Sequence, residues 1–265
     1  MKRNLLENEI RFTLLGTGTS SGVPTIGCKC PVCLSDDPKD KRLRCSLLIE
    51  TQSTTVVIDT SADFRQQMIK HSVDKIDAIV YTHQHFDHIS GFDDIRAYNF
   101  IQHKPTPIYI NNSTFSSLKN TFSYAFGEAV QVGGGLPLVD INMIDREDFK
   151  IGDIEFQIIP MEHGKIEVLG FRIGSFAYCT DTNYIPDTSL DKLKELDVLI
   201  LDALRYHPHP THFTVEESIN IAKQLKAKET YFTHIAHQIS HSLLSKELPK
   251  SINLAYDGLE FILEK

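Results

Sequence analysis

No apolar run in this 265-residue chain approaches the roughly 20 residues that a bilayer-spanning helix needs, so a transmembrane helix is excluded. Residues 1–9 are charged and hold no hydrophobic stretch of the kind a secretory signal requires; the expectation is a cytoplasmic protein without a membrane partner. Positive charge is in deficit, since 27 Lys and Arg face 35 Asp and Glu and leave a net charge of −8 at pH 7. Affinity for nucleic acid comes largely from Lys and Arg neutralising phosphates, and this balance argues against extended nucleic-acid contact. Repeats, low-complexity tracts and linkers are absent, so the chain reads as a single domain over residues 1–265. Nucleotide-loop fingerprints are lacking too. In GTGTSSG (16–22) Ser21 stands where the third glycine of a dinucleotide loop would fall, and no Gly-Lys-Ser/Thr follows, which leaves a tight turn.

What is present is an ordinary globular composition, 41% apolar and 23% charged. Apolar segments at 11–15, 46–50 and 55–59 read as strands, the last two joined as a hairpin by the polar turn 51–54. Residues 63–71 read as a helix and 77–81 as a short strand. Later strands are expected at 154–160, 170–173, 176–180, 198–201 and 230–232. The strongest helix signal covers 214–226, where Thr214 and Glu217 make a capping box and Val215, Ile219, Ala222 and Leu225 share one face. Residues 111–140, with the run Gly133-Gly134-Gly135, read as a mobile lid or subunit contact, compatible with a homodimer. A β-rich first half followed by alternating strands and helices implies an α/β fold of sheets covered by helices.

Chemistry concentrates in His and Cys. Directly after the strand at 77–81 comes His83-Gln84-His85-Phe86-Asp87-His88, and four ligand-type groups in six residues converge only on a turn. Imidazole and carboxylate together suit zinc, manganese or iron. Cys28, Cys30 and Cys33 crowd into a second cluster (the loop 27–34), which a reducing compartment turns toward metal rather than disulfide.

The H-x-H-x-D-H pattern resembles the signature of the metallo-β-lactamase superfamily. The resemblance runs along most of the chain and implies an αββα sandwich, two facing mixed sheets flanked by helices with metals at one edge. It implies further ligands at His163, Asp181 and His234, each just after an expected strand. One metal would take His83, His85 and His163, the other Asp87, His88 and His234, with Asp181 bridging. Asp59 is either a turn cap or the carboxylate that orients a ligand histidine. Two dications about 3.5–4 Å apart hold hydroxide at neutral pH and neutralise phosphoryl charge; the expected reaction is attack by that metal-bound hydroxide.

The Cys cluster, completed by His237, resembles the structural zinc of the PhnP-type cyclic phosphodiesterases, as do the stretch 22–33 and Tyr256-Asp257-Gly258. The implied substrate is a small cyclic phosphodiester such as ribose 1,2-cyclic phosphate, with two catalytic divalent metals (zinc, manganese or iron) and one structural zinc. In Arg205-Tyr-His-Pro-His-Pro-Thr-His-Phe-Thr214, His212 matches a histidine that contacts phosphate and protonates the leaving oxygen. Arg205 is either a substrate-phosphate partner or a surface ion-pair residue. His71, His103 and His241, without convergent partners, read as surface histidines. An RNA phosphodiesterase of the tRNA 3′-end type would use the same metals but meets the charge deficit. A thioester hydrolase of the glyoxalase II kind leaves the Cys cluster unexplained, and a di-iron electron carrier would place Glu at position 85. A non-enzymatic metal-binding protein is the alternative of another class, and it is weakened by the presence of every expected ligand.

Overall fold

Short segments rich in Val, Ile, Leu and Phe become strands buried on both faces, because each sheet is covered inside and outside. The computed structural model describes residues 4–127, 135–145 and 147–265. The first sheet takes β1 (Glu9–Gly16), β2 (Ser46–Glu50), β3 (Thr55–Ile58), β4 (Ala78–Val80), β5 (Thr106–Ile110) and β6 (Val139–Met143) in sequence order. The second takes β7 (Phe149–Ile151), β8 (Ile154–His163), β9 (Ile166–Ile173), β10 (Phe176–Cys179), β11 (Val198–Asp202), β12 (Glu229–Thr233) and β13 (Ile252–Leu254). The last strand, β14 (Glu260–Glu264), returns to the first sheet as the antiparallel outer neighbour of β1. Each sheet is antiparallel on one side and parallel on the other, the parallel halves being β3–β6 and β10–β13.

Alternation along the strands divides the core into layers. Ile10, Phe12 and Leu14 of β1 point between the sheets, where Phe12 stacks on Phe176 with ring centroids 3.9 Å apart. Outward-facing Leu48, Val57 and Ile79 pack against α1 (Phe64–His71), α2 (Phe86–Ile89), α3 (Arg96–Gln102), α4 (Asn112–Thr121) and α5 (Ser123–Phe126). Leu199 and Leu201 on the far face meet α6 (Asp187–Lys192), α7 (Val215–Leu225) and α8 (His241–Leu244). This is the expected αββα sandwich. The capping box of α7 is present in both directions, and the helix ends where Lys226 turns left-handed at φ 55°. The expected loop at 111–140 is partly helical, as α4 and α5, and its Gly133-Gly134 pair lies outside the described residues. Among the described residues no helix is long and apolar enough to cross a membrane.

Candidate metal centre

The parallel arrangement brings the ends of β3, β4, β10, β11 and β12 to one edge, together with the end of β8, and these ends deliver the polar residues. Asp59, Asp181 and His234 each follow a strand and each has a left-handed backbone, at φ 62°, 57° and 58°. Asp and His tolerate that region better than branched residues do, and it turns their side chains back toward the site.

Asp181 lies at the centre, buried. Its Oδ2 is 3.1 Å from His234 Nε2, 3.3 Å from His88 Nε2 and 3.9 Å from His83 Nε2. Asp87 Oδ2 closes the group, 3.4 Å from His88 Nε2 and 3.8 Å from His234 Nε2. His163 Nε2 is 3.2 Å from His85 Nδ1. The structure thus brings together all seven of the residues expected around two metals, as a His83–His85–His163 group beside an Asp87–His88–Asp181–His234 group. The Nε2 atoms of His83, His88 and His234 are buried and make no hydrogen bond. Buried polar atoms are normally satisfied, and orphaned imidazole nitrogens facing carboxylate oxygens fit a divalent cation. Burial works against the charge on Asp87 and Asp181, yet the neighbouring histidines hold both carboxyls well below the usual range.

The residues behind the imidazoles fix their orientation. Asp59 Oδ2 accepts from His88 Nδ1 at 2.6 Å while Thr82 donates to both Asp59 oxygens. Asp59 thus makes the contact expected of a carboxylate that orients a ligand histidine. His163 Nδ1 donates to the Thr211 carbonyl at 2.5 Å. His212 is 8% exposed and stacks on His234, centroids 4.5 Å apart at 12°. Its Nδ1 donates to Asp202 Oδ2 at 3.1 Å, and Asp202 Oδ1 lies 3.8 Å from His234 Nδ1. Asp202 escapes a reading of the sequence, since an Asp closing an apolar strand carries no signal of its own; only its likeness to the Asp59 position hints at it. Arg205 turns onto its own loop and donates to the His207 and Pro208 carbonyls.

Cys28, Cys30 and Cys33 place their sulfurs 3.3, 3.4 and 3.6 Å from His237 Nδ1. All four ligand atoms fall within 4.8 Å of one another, a three-sulfur, one-nitrogen set suited to tetrahedral zinc. The Cys33 amide pointing at Sγ brings the Cys30 thiol down to about 6, whereas burial pushes the neighbouring Cys33 thiol up to about 11. His241 departs from expectation. It is buried, accepting from Arg42 Nη2 on its Nδ1 at 3.1 Å, because the first turn of α8 is held against Asp40 and Arg42.

A family model described as beta-lactamase superfamily domain matches residues 54–235. A crystal structure of a diphosphatase from the PhnP family is 45% identical, with a TM-score of 0.90 over 97% of this chain and 98% of that one. Zinc-bound PqqB from Methylobacterium extorquens, at 17% identity, superposes with a TM-score of 0.78 over 95% of this chain and 99% of that one. The short form of human tRNase Z, also at 17%, gives 0.67 over 95% of this chain and 98% of that one. An octanoyltransferase of Porphyromonas gingivalis is 36% identical over 97% of this chain but only 52% of its own length, so the chain spans about half of that relative. Fold and site thus define a metal-dependent hydrolase of the metallo-β-lactamase superfamily. Within it, the chain belongs to the PhnP family.

Proposed function

We propose that the protein hydrolyses a small cyclic phosphodiester such as ribose 1,2-cyclic phosphate, using two divalent metals. The observation that carries this reading is the convergence of three buried imidazole Nε2 atoms, none of them hydrogen-bonded, on the Asp181 carboxylate, with a histidine held beside them by its own carboxylate. His83, His85 and His163 would hold one metal, Asp87, His88 and His234 the other, and Asp181 would lie between them. When bound, such a pair lowers the pKa of water and takes up charge on phosphoryl oxygens. The protein's part is orientation and proton transfer. Asp59 and the Thr211 carbonyl fix the rings of His88 and His163. Because Asp202 occupies Nδ1 of His212, the free Nε2 is the atom that delivers a proton to the departing alkoxide. Cys28, Cys30, Cys33 and His237 would hold a structural zinc.

The test is metal content by elemental analysis together with hydrolysis of ribose cyclic phosphates and bis(p-nitrophenyl) phosphate. Three metals per chain with diester cleavage are expected, and His212→Ala should lower turnover by roughly 10²–10⁴-fold with metal content intact. A second reading, cleavage of an acyl thioester, would use the same metals but leaves the Cys cluster without a role, and the octanoyltransferase, matched over only 52% of its length, does not decide for it. Turnover of an octanoyl thioester without diester cleavage would replace the first reading with the second.

A further inference from the structure

Arg42 is 3% exposed, and burial brings its guanidinium down to about 10 without removing its charge at neutral pH. A buried cation is costly unless its surroundings satisfy it. Its donors reach three segments far apart in sequence. Nη1 donates to Thr17 Oγ1 at 2.8 Å and to the Ala255 carbonyl at 2.6 Å, and Nη2 to His241 Nδ1 at 3.1 Å. Charge balance arrives through those partners. Thr17 Oγ1 donates in turn to Asp257 Oδ1 at 2.8 Å, and the His241 amide donates to Asp40 Oδ1 at 2.7 Å. The backbone of Arg42 is paired in both directions with Val23, four residues before the Cys loop.

The segment 234–241 gains most from this arrangement. Its first residues are pinned to the Gly-rich turn, where the Ile235 amide donates to the Thr17 carbonyl and the Thr19 amide to the Ile235 carbonyl. Its last residue is held by Arg42 and Asp40. Between the two anchors it supplies one residue to each candidate centre, His234 to the His/Asp group and His237 to the Cys group. We infer that Arg42 is a positioning residue that couples the two centres, so that a metal in the Cys group sets His234 for the His/Asp group. It thereby draws in two motifs the hydrolytic chemistry leaves unused, the Gly-rich turn through Thr17 and Tyr256-Asp257-Gly258 through the bond from Thr17 to Asp257.

This rests on the metal-centre reading, which wild-type cobalt(II) titration tests by itself. Thiolate-to-cobalt charge-transfer absorption reports filling of the Cys group, and the cobalt bound beyond it, counted by equilibrium dialysis, reports the His/Asp group, independently of turnover. Cys30→Ala should empty the first and loosen cobalt in the second by roughly 10-fold, the scale of orienting contacts. Arg42→Gln should loosen the second equally, and the double variant should be no worse than either single change. His241→Leu should reproduce part of the loss, whereas His241→Asn, which keeps an acceptor, should retain wild-type affinity; this pair decides the matter if Arg42→Gln does not fold. Lower thermal stability with both affinities unchanged within about twofold would reduce Arg42 to a structural plug. Losses that multiply in the double variant would overturn the coupling, whereas failure of the wild type to bind cobalt would overturn the metal-centre reading instead.

Discussion

Asp202 is fully buried and gathers three donors on one oxygen, His212 Nδ1 and the amides of Thr182 and Phe213. Asparagine there would keep the shape but offer His212 Nδ1 an amide oxygen in place of a carboxylate. Under the proposed function, Asp202→Asn is therefore expected to lower diester turnover by roughly 10²-fold with metal content unchanged from wild type. Full turnover in that variant would show that His212 acts without its carboxylate. Residues of this kind mark the boundary of what a sequence reveals. His83, His85, Asp87 and His88 are legible because four ligand types in six residues have few other uses. Asp59 and Asp202 each end an apolar strand, and nothing local separates an orienting carboxylate from a cap. The left-handed turns at Asp59, Asp181 and His234 are equally silent, since Asp and His enter that region without a neighbouring glycine to announce it.

The Gly-rich turn shows the same limit for elements. Its reading as a tight turn rather than a nucleotide loop agrees with the structure, but the need for glycine at its start is a packing fact. A Cβ on Gly16 would sit 2.0 Å from the Arg44 carbonyl oxygen, which cannot retreat without breaking the contact between β1 and the 42–44 strip. Gly16→Ala should cost about 1–3 kcal/mol, seen as a lower urea midpoint at unchanged slope. An unchanged midpoint would mean that the strip moves freely and does not brace the site. α7 was legible because cap, amphipathic face and stop signal agree. β5 was not, because Pro107 sits inside it and argues against an interior strand. β14 alternates too weakly at the edge of the first sheet, with Phe261 and Leu263 half-buried and Ile262 exposed.

Across the whole molecule, the packed layers and the candidate centres draw on different residues. The inter-sheet core and the two outer layers are built from aliphatic and aromatic side chains, so the sandwich does not depend on metal for its strands. Metals in the candidate centres would instead tie down the loops at one edge, which carries the buried carboxylates of Asp59, Asp181 and Asp202. A metal held at about 1,000 times its dissociation constant adds about 4 kcal/mol of stability, which for a chain of this size is about 8–16 °C in Tm. Stripping with a chelator should lower Tm on that scale, leave the far-UV circular dichroism unchanged, and be reversed by zinc. Loss of the strand signal on stripping would show that metal builds the fold rather than its edge. The stripped protein should also respond to pH in a set direction. Burial opposes protonation of His88 and His234, but Asp181 and the carboxylates around it outweigh burial and raise both above 6.5. That contribution is fully present below pH 6.5 and is lost as pH rises through the raised values. Metal affinity changes the opposite way, because ligands must shed their protons. The gap in Tm between loaded and stripped protein should therefore widen from pH 6.5 upward; parallel curves would mean that these two histidines carry no proton when the metals are gone.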